Sequence, residues 1–191
     1  MIGRFVCVAA GLALVACSPE ISDLSADAAK SGKGLAKPAE IEADQVRLSG
    51  ENISITGPTG TTLAFGSPRE AVDAELTRVL GPAEGRDSND ECGAGPMEFS
   101  NFPGGLSVNF QDGKLVGWFV DGADGMIETD KGLAVNAAKG AVEGNYNLTM
   151  VTDSTLGDEF YTEEGVGGFF EGEANAARVS SLHAGTNCFF R

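Results

Sequence analysis

The chain has 191 residues, 42% of them apolar and 27 of them glycine, a composition that supports a real core built from short elements and many turns. Its formal net charge of −15, from 28 acidic and 13 basic side chains, excludes a nucleic-acid surface and a basic face lying on anionic lipid. The acidity fits a solvated surface or a basic protein partner.

Residues 1–16 read as a secretory signal. Arg4 supplies a positive start, and the apolar stretch 5–16 has 12 residues, too short for a membrane-spanning helix of about 20. It ends in Leu14-Val15-Ala16-Cys17, which resembles the lipobox of bacterial lipoprotein precursors. The resemblance implies attachment of diacylglycerol to Cys17 through a thioether, cleavage before it, and a membrane partner reached through the lipid. Ser18 follows where an aspartate would resemble an inner-membrane retention signal. The expected location is therefore the cell envelope, on the outer membrane facing the periplasm.

Residues 17–48 then form a predicted flexible tether. Large apolar residues are few there, and they follow no sustained helical or strand period, so ordering the segment would cost more entropy than its burial returns.

The globular part begins with two short strands, 53–56 and 61–65, around a Gly57-Pro58 to Gly60 turn. Ser67-Pro68-Arg69-Glu70 has the form of a capping box with proline at the first helical position. Val72, Leu76, Val79 and Leu80 make one apolar stripe after it, and Gly81-Pro82 stops the helix. A polar loop is expected over 83–95, then strands near 97–100, 106–110 and 115–120, the last two joined by the hairpin signal Asp112-Gly113. A second unit repeats the first at an offset of 70: Leu63-Ala64 matches Leu133-Ala134, and Ala71-Val72 matches Ala141-Val142. Its helix carries Gly140 and Gly144 and lacks the capping box, and strands recur near 169–170, 179–183 and 188–190. These elements predict an α+β fold of two tandem strand-helix-antiparallel-sheet units, 49–130 and 131–191.

The run Phe65-Gly66-Ser67-Pro68-Arg69-Glu70 … Leu80-Gly81-Pro82 resembles small outer-membrane lipoproteins of the SmpA/OmlA type, and two such units in tandem resemble the β-lactamase inhibitor protein architecture. The resemblance implies a binding rather than a catalytic role and transfers no functional residue.

Of four cysteines, Cys7 leaves with the signal and Cys17 takes the lipid. Cys92 and Cys188 remain, an even pair in an oxidising compartment, and are expected to form a disulfide. His183 is the only histidine and no CxxC is present, so no metal site or other cofactor is expected. No Gly-x-Ser-x-Gly elbow accompanies His183, and no catalytic residue is assigned. Carboxylates gather at Asp87, Asp90 and Glu91, at Asp121, Asp124, Glu128 and Asp130, and at Asp158, Glu159, Glu163 and Glu164, spacings that suit turns. Of Trp118 and Phe119 in one strand, one faces outward: Trp118 either packs in the core or, as the outward residue, is the candidate partner-binding residue. The expectation is a lipid-anchored, non-catalytic protein-binding or envelope-assembly module, with an envelope protein as the candidate partner. An inhibitor of an envelope enzyme and a secreted hydrolase are the alternatives.

Overall fold

The structure, a computed structural model, describes residues 44–174 and 176–189. The signal, Cys17 and the tether up to residue 43 lie outside the described residues. In chain order the elements are β1 (Gln45–Leu48), β2 (Asn52–Thr56), β3 (Thr61–Ala64), α1 (Arg69–Leu80), β4 (Gly85–Asn89), β5 (Met97–Phe102), β6 (Leu106–Gln111), β7 (Lys114–Val120), β8 (Ile127–Thr129), α2 (Lys139–Asn145), β9 (Leu148–Met150), β10 (Asp158–Thr162), β11 (Gly167–Glu171) and β12 (Arg178–Gly185).

This overturns the α+β expectation. Strands dominate the described residues: a four-stranded sheet in the order β3-β2-β1-β8 and an eight-stranded sheet in the order β4-β5-β6-β7-β12-β11-β10-β9, with helices of only 12 and 7 residues. The expected halves are not separate sheets either. The antiparallel pair β7–β12 (Leu182 opposite Val120, Ala184 opposite Trp118) sews them into one. Both halves, both helices and the small sheet share one core, in which Leu48, Ile53, Leu76, Trp118, Val142, Phe160 and Leu182 are buried together. Removing such apolar surface from water is what holds the layers together.

Two further segments differ from expectation. Residues 45–48, assigned to the tether, are β1, which lies between β2 and a parallel β8 and buries Val46 and Leu48. The polar loop contains β4, an edge strand paired only with β5 and half-exposed or exposed throughout. Of the strand expected at 188–190, the described residues Cys188 and Phe189 follow β12 as irregular chain, and residue 190 lies outside the described residues.

The helix starts are built alike. Gly66 donates its backbone N–H to the Leu115 carbonyl, and Asn136, 70 residues on, donates to that of Val179. Leu115 and Val179 donate to Ser67 and Ala137; Arg69 and Lys139 donate to Gly113 and Ala177. Gly66 and Asn136 both sit at positive φ, 95° and 70°. Each helix is thus started by strand-like docking onto β7 or β12, which explains why no capping box forms. Pro68, which has no side-chain acceptor, is the N-cap of α1, and Ser67 is held outside the helix by its backbone pairing with Leu115. Gly81, at φ 94°, ends α1 by donating to the Thr77 carbonyl.

Candidate functional site

Register places one row of residues across the eight-stranded sheet: Gly85, Asn101, Ser107, Phe119, His183, Gly167, Tyr161 and Thr149. Neighbours along each strand point to opposite sides, and the flanking Val108, Trp118, Leu182 and Phe160 are in the core. The row therefore belongs to the outer face, away from the helices and the small sheet. On adjoining rows of that face stand Phe99 and Asn109, and Glu159, Phe169 and Ser181.

The C-terminal segment 186–189 crosses this face. Thr186 donates its N–H to the Val116 carbonyl (2.8 Å), and the Asn109 amide reaches the Thr186 carbonyl (2.9 Å) and Asn187 Oδ1 (2.8 Å). A Cβ on Gly117 would lie 2.4 Å from the Thr186 oxygen, so only glycine lets the segment pass. Cys188 is bonded to Cys92, as expected from the cysteine count, across a sequence separation of 96. Phe189 then sits over the face, its ring centre 4.9 Å from His183, 5.7 Å from Phe169 and 6.3 Å from Phe119.

His183 is thereby buried among rings, with Tyr161 edge-on at 5.6 Å. A side chain at Gly167 would strike its imidazole Cε1 at 2.4 Å and Tyr161 at 2.7 Å, so this glycine makes their approach possible. Beside them Glu159 is fully buried and accepts hydrogen bonds from Ser154 Oγ (2.6 Å) and the Tyr161 hydroxyl (3.2 Å). A buried carboxylate needs such donors to offset its desolvation. The sequence signals only acidic clustering here. The buried member, Glu159, has no local mark that separates it from Asp158, which pairs with Lys139 at 2.5 Å.

Trp118 does not fit the role of partner anchor. It is fully buried, on the core face, and its indole N–H donates to the Ser49 carbonyl at 2.9 Å. Of the pair it forms with Phe119, the outward member is Phe119, which is half-buried. What Trp118 holds is the 49–52 turn, which forms one wall of a cleft of about 280 Å³. The other walls are the 129–133 turn, Tyr146 at the end of α2, and the β10–β11 turn at 162–166. Tyr146 is fixed by donating its hydroxyl to the Lys131 carbonyl at 2.8 Å. Burial pushes its phenol pKa up, and the charges of Glu128 and Glu164 add to the shift.

Three of the remaining carboxylates make local contacts. Asp87 accepts from Asn101, Asp124 accepts from the Met126 N–H, and Glu128 pairs with Arg47. Among the described residues no three His, Cys, Asp or Glu side chains gather as a metal site would require, and no helix is long and apolar enough to cross a membrane.

No known family and no curated protein matches the chain. Among solved structures it is similar to the uncharacterized protein yfeY from Escherichia coli, at 14% identity and a TM-score of 0.47, with 73% of this chain and 97% of that one covered.

Proposed function

We propose that the protein is a non-catalytic binding module of the bacterial envelope, anchored through lipid on Cys17 to the outer membrane and facing the periplasm. Its partner is a protein that docks on the outer face of the eight-stranded sheet. The observation that carries this reading is the character of that face. Phe99, Phe119, Phe169 and Tyr161 remain half-buried there while both helices and the small sheet pack on the opposite side. Aromatic side chains left partly in water on a rigid sheet are the residue types that anchor protein partners. The disulfide-tied segment 186–189 stiffens the same surface and lowers the ordering cost of docking.

The test is cross-linking of the tagged full-length protein in cells, followed by mass spectrometry. The expected result is one reproducible partner that is lost in Cys17→Ser and reduced by Phe99→Ser, with the Phe99→Ser protein still folded and oxidised. A partner that is an enzyme would give the role its inhibitory form. Absence of any partner above background, or a partner indifferent to Phe99→Ser, would remove the reading.

A further inference from the structure

We propose that the cleft beside Tyr146 receives a lysine side chain of a basic partner protein, with the aliphatic stem on its apolar floor and the ammonium among the carboxylates of its mouth. The floor is Leu48, Leu133 and Val166, all buried. The mouth carries Glu51, Asp130 and Glu164, all exposed. An apolar slot ending in negative charge matches a lysine, whose flexible hydrocarbon stem packs on apolar surface while its head stays at the water boundary.

The cleft has room for a long side chain. At about 280 Å³ the cleft falls just below the roughly 300–1,000 Å³ of ordinary small-molecule sites. Because the acidic rim is exposed, the backbone bearing the lysine can stay outside.

Among the described residues, the rim gathers carboxylates that no ion pair compensates at the mouth of an apolar cleft. Asp44, Asp73, Glu75, Glu98, Glu128, Glu143 and Asp158 each have an arginine or lysine partner. Glu51, Asp130 and Glu164 line one cleft, and among the described residues no ion pair engages any of them, although Lys131 stands at the same mouth. Three carboxylates facing one ammonium leave the rim short of positive charge. The net charge of −15 would also draw a basic protein toward it.

The walls are held in place. Trp118 bonds the 49–52 turn from behind. Gly50 abuts the opposite turn so closely that a Cβ would lie 2.0 Å from the Glu164 carbonyl oxygen. The preference for an alkylammonium is independent of the sheet's outer face; the identification of its bearer as a protein rests on the proposed binding role.

The test is an NMR titration of the full chain in detergent micelles, following the indole N–H of its single tryptophan and the amides of Gly50 and Asn52. The probes are acetyl-Gly-Lys-Gly-amide, its norleucine counterpart and n-pentylamine hydrochloride, at constant ionic strength. The lysine peptide should give saturable shifts. The norleucine peptide should bind about tenfold more weakly or less, the loss expected when one charge-assisted hydrogen bond is removed. The Glu51→Gln/Asp130→Asn/Glu164→Gln variant, checked for an unchanged amide spectrum elsewhere, should lose the same factor. Leu133→Phe, which fills the floor without touching the rim, should abolish the shifts.

Equal binding of the two peptides would overturn the proposal, as would full affinity in the triple variant. Binding of n-pentylammonium without the lysine peptide would make this a free-amine site and overturn the assignment to a protein while leaving the sheet-face reading intact. Binding that appears only in Lys131→Ala would mean that the chain's own Lys131 fills the cleft, and would also overturn it.

Discussion

The two halves of the eight-stranded sheet solve one problem with different materials. In the first, Arg69 at the start of α1 lies over the Phe110 ring (5.0 Å) and pairs with Glu98 (3.1 Å) and Asp73 (3.6 Å). In the second, Lys139 at the start of α2 lies over Phe170 (4.9 Å) and pairs with Asp158 (2.5 Å) and Glu143 (4.0 Å). Each cation clamps a helix start, a ring of the sheet and a carboxylate of the next strand. The first half adds a 12-residue helix and the indole of Trp118; at the matching place in β12 stands Leu182, and α2 has only 7 residues. The shared bracket fixes the architecture, and the unequal helices set how firmly each half is held. The second half leans on its neighbour through β7–β12 and through Cys92–Cys188.

The disulfide is the strongest dependence of this kind. The Cys92→Ser/Cys188→Ser chain should lose about 3–5 kcal/mol in urea denaturation, since the closed loop is long and the chain-entropy effect is large. A loss below about 1 kcal/mol would mean that the β7–β12 ladder alone joins the halves, and the comparison would fail. Next comes Trp118→Leu, which gives the first half the second half's residue. It should cost about 2–4 kcal/mol, from lost volume and from the unpaired Ser49 carbonyl, and should loosen the 49–52 turn first, as read by amide exchange.

These contrasts were only partly legible in the sequence. The β2–β3 and β6–β7 hairpins and α1 announced themselves, because alternation, the 3.6-residue stripe and Asp112-Gly113 are local signals, and Asp112 and Gly113 do take positive φ. β4 reads Gly-Arg-Asp-Ser-Asn and has no apolar residue; only its pairing with β5 makes it a strand. β1 alternates over just four residues beside tether-like composition. One apolar stripe is a conspicuous local signal while many short strands are not, so local pattern points to α+β where strands in fact dominate. At the site, alternation showed that Trp118 and Phe119 point opposite ways, but only register on β6 and β12 tells which way is inward. That Phe189 closes over His183 depends on a chain reversal after β12, which no local pattern encodes.

The brackets themselves can be unbalanced. Arg69 also reaches Ser100 Oγ (3.2 Å) and the Phe99 carbonyl (3.4 Å), so its fork serves more acceptors than the Lys139 ammonium can. Both side chains are mostly covered, at 17% and 21% exposure. Arg69→Met should cost about 1–2 kcal/mol and Lys139→Met about 0.5–1 kcal/mol, partly screened by salt. Equal costs would show that the ring contact, common to both, carries the bracket.

A smaller effect has the opposite sign. Gly140 lies inside α2 with ordinary helical φ, and a Cβ there would meet nothing within 4 Å. Gly140→Ala should stabilise the chain by about 0.5–1 kcal/mol, by restricting the unfolded state and favouring the helix. The gain should appear as slower exchange of the α2 amides. If those amides do not change, the shortness of α2 comes from its docking on β12 and not from its glycines.

The smallest expected effect lies on α1. Arg78, in its last turn, donates to Asp44, and this hydrogen bond, with help from Thr59 and against the effect of burial, holds the Asp44 carboxyl below its ordinary value of 3.8. A folded pKa below the unfolded one means stability that is present above the unfolded value and lost as the pH falls through the folded one. The pair is at the surface, so the slope should be shallow and should flatten in high salt. Urea midpoints measured on descending through that range should fall less steeply in Arg78→Ala than in the parent. The position 70 residues on is Leu148, so α2 has no such latch, and hydrogen exchange should localise the acid-induced loosening to α1 and β1. Equal loosening of α2 would show that the extra latch on α1 contributes nothing to the acid response.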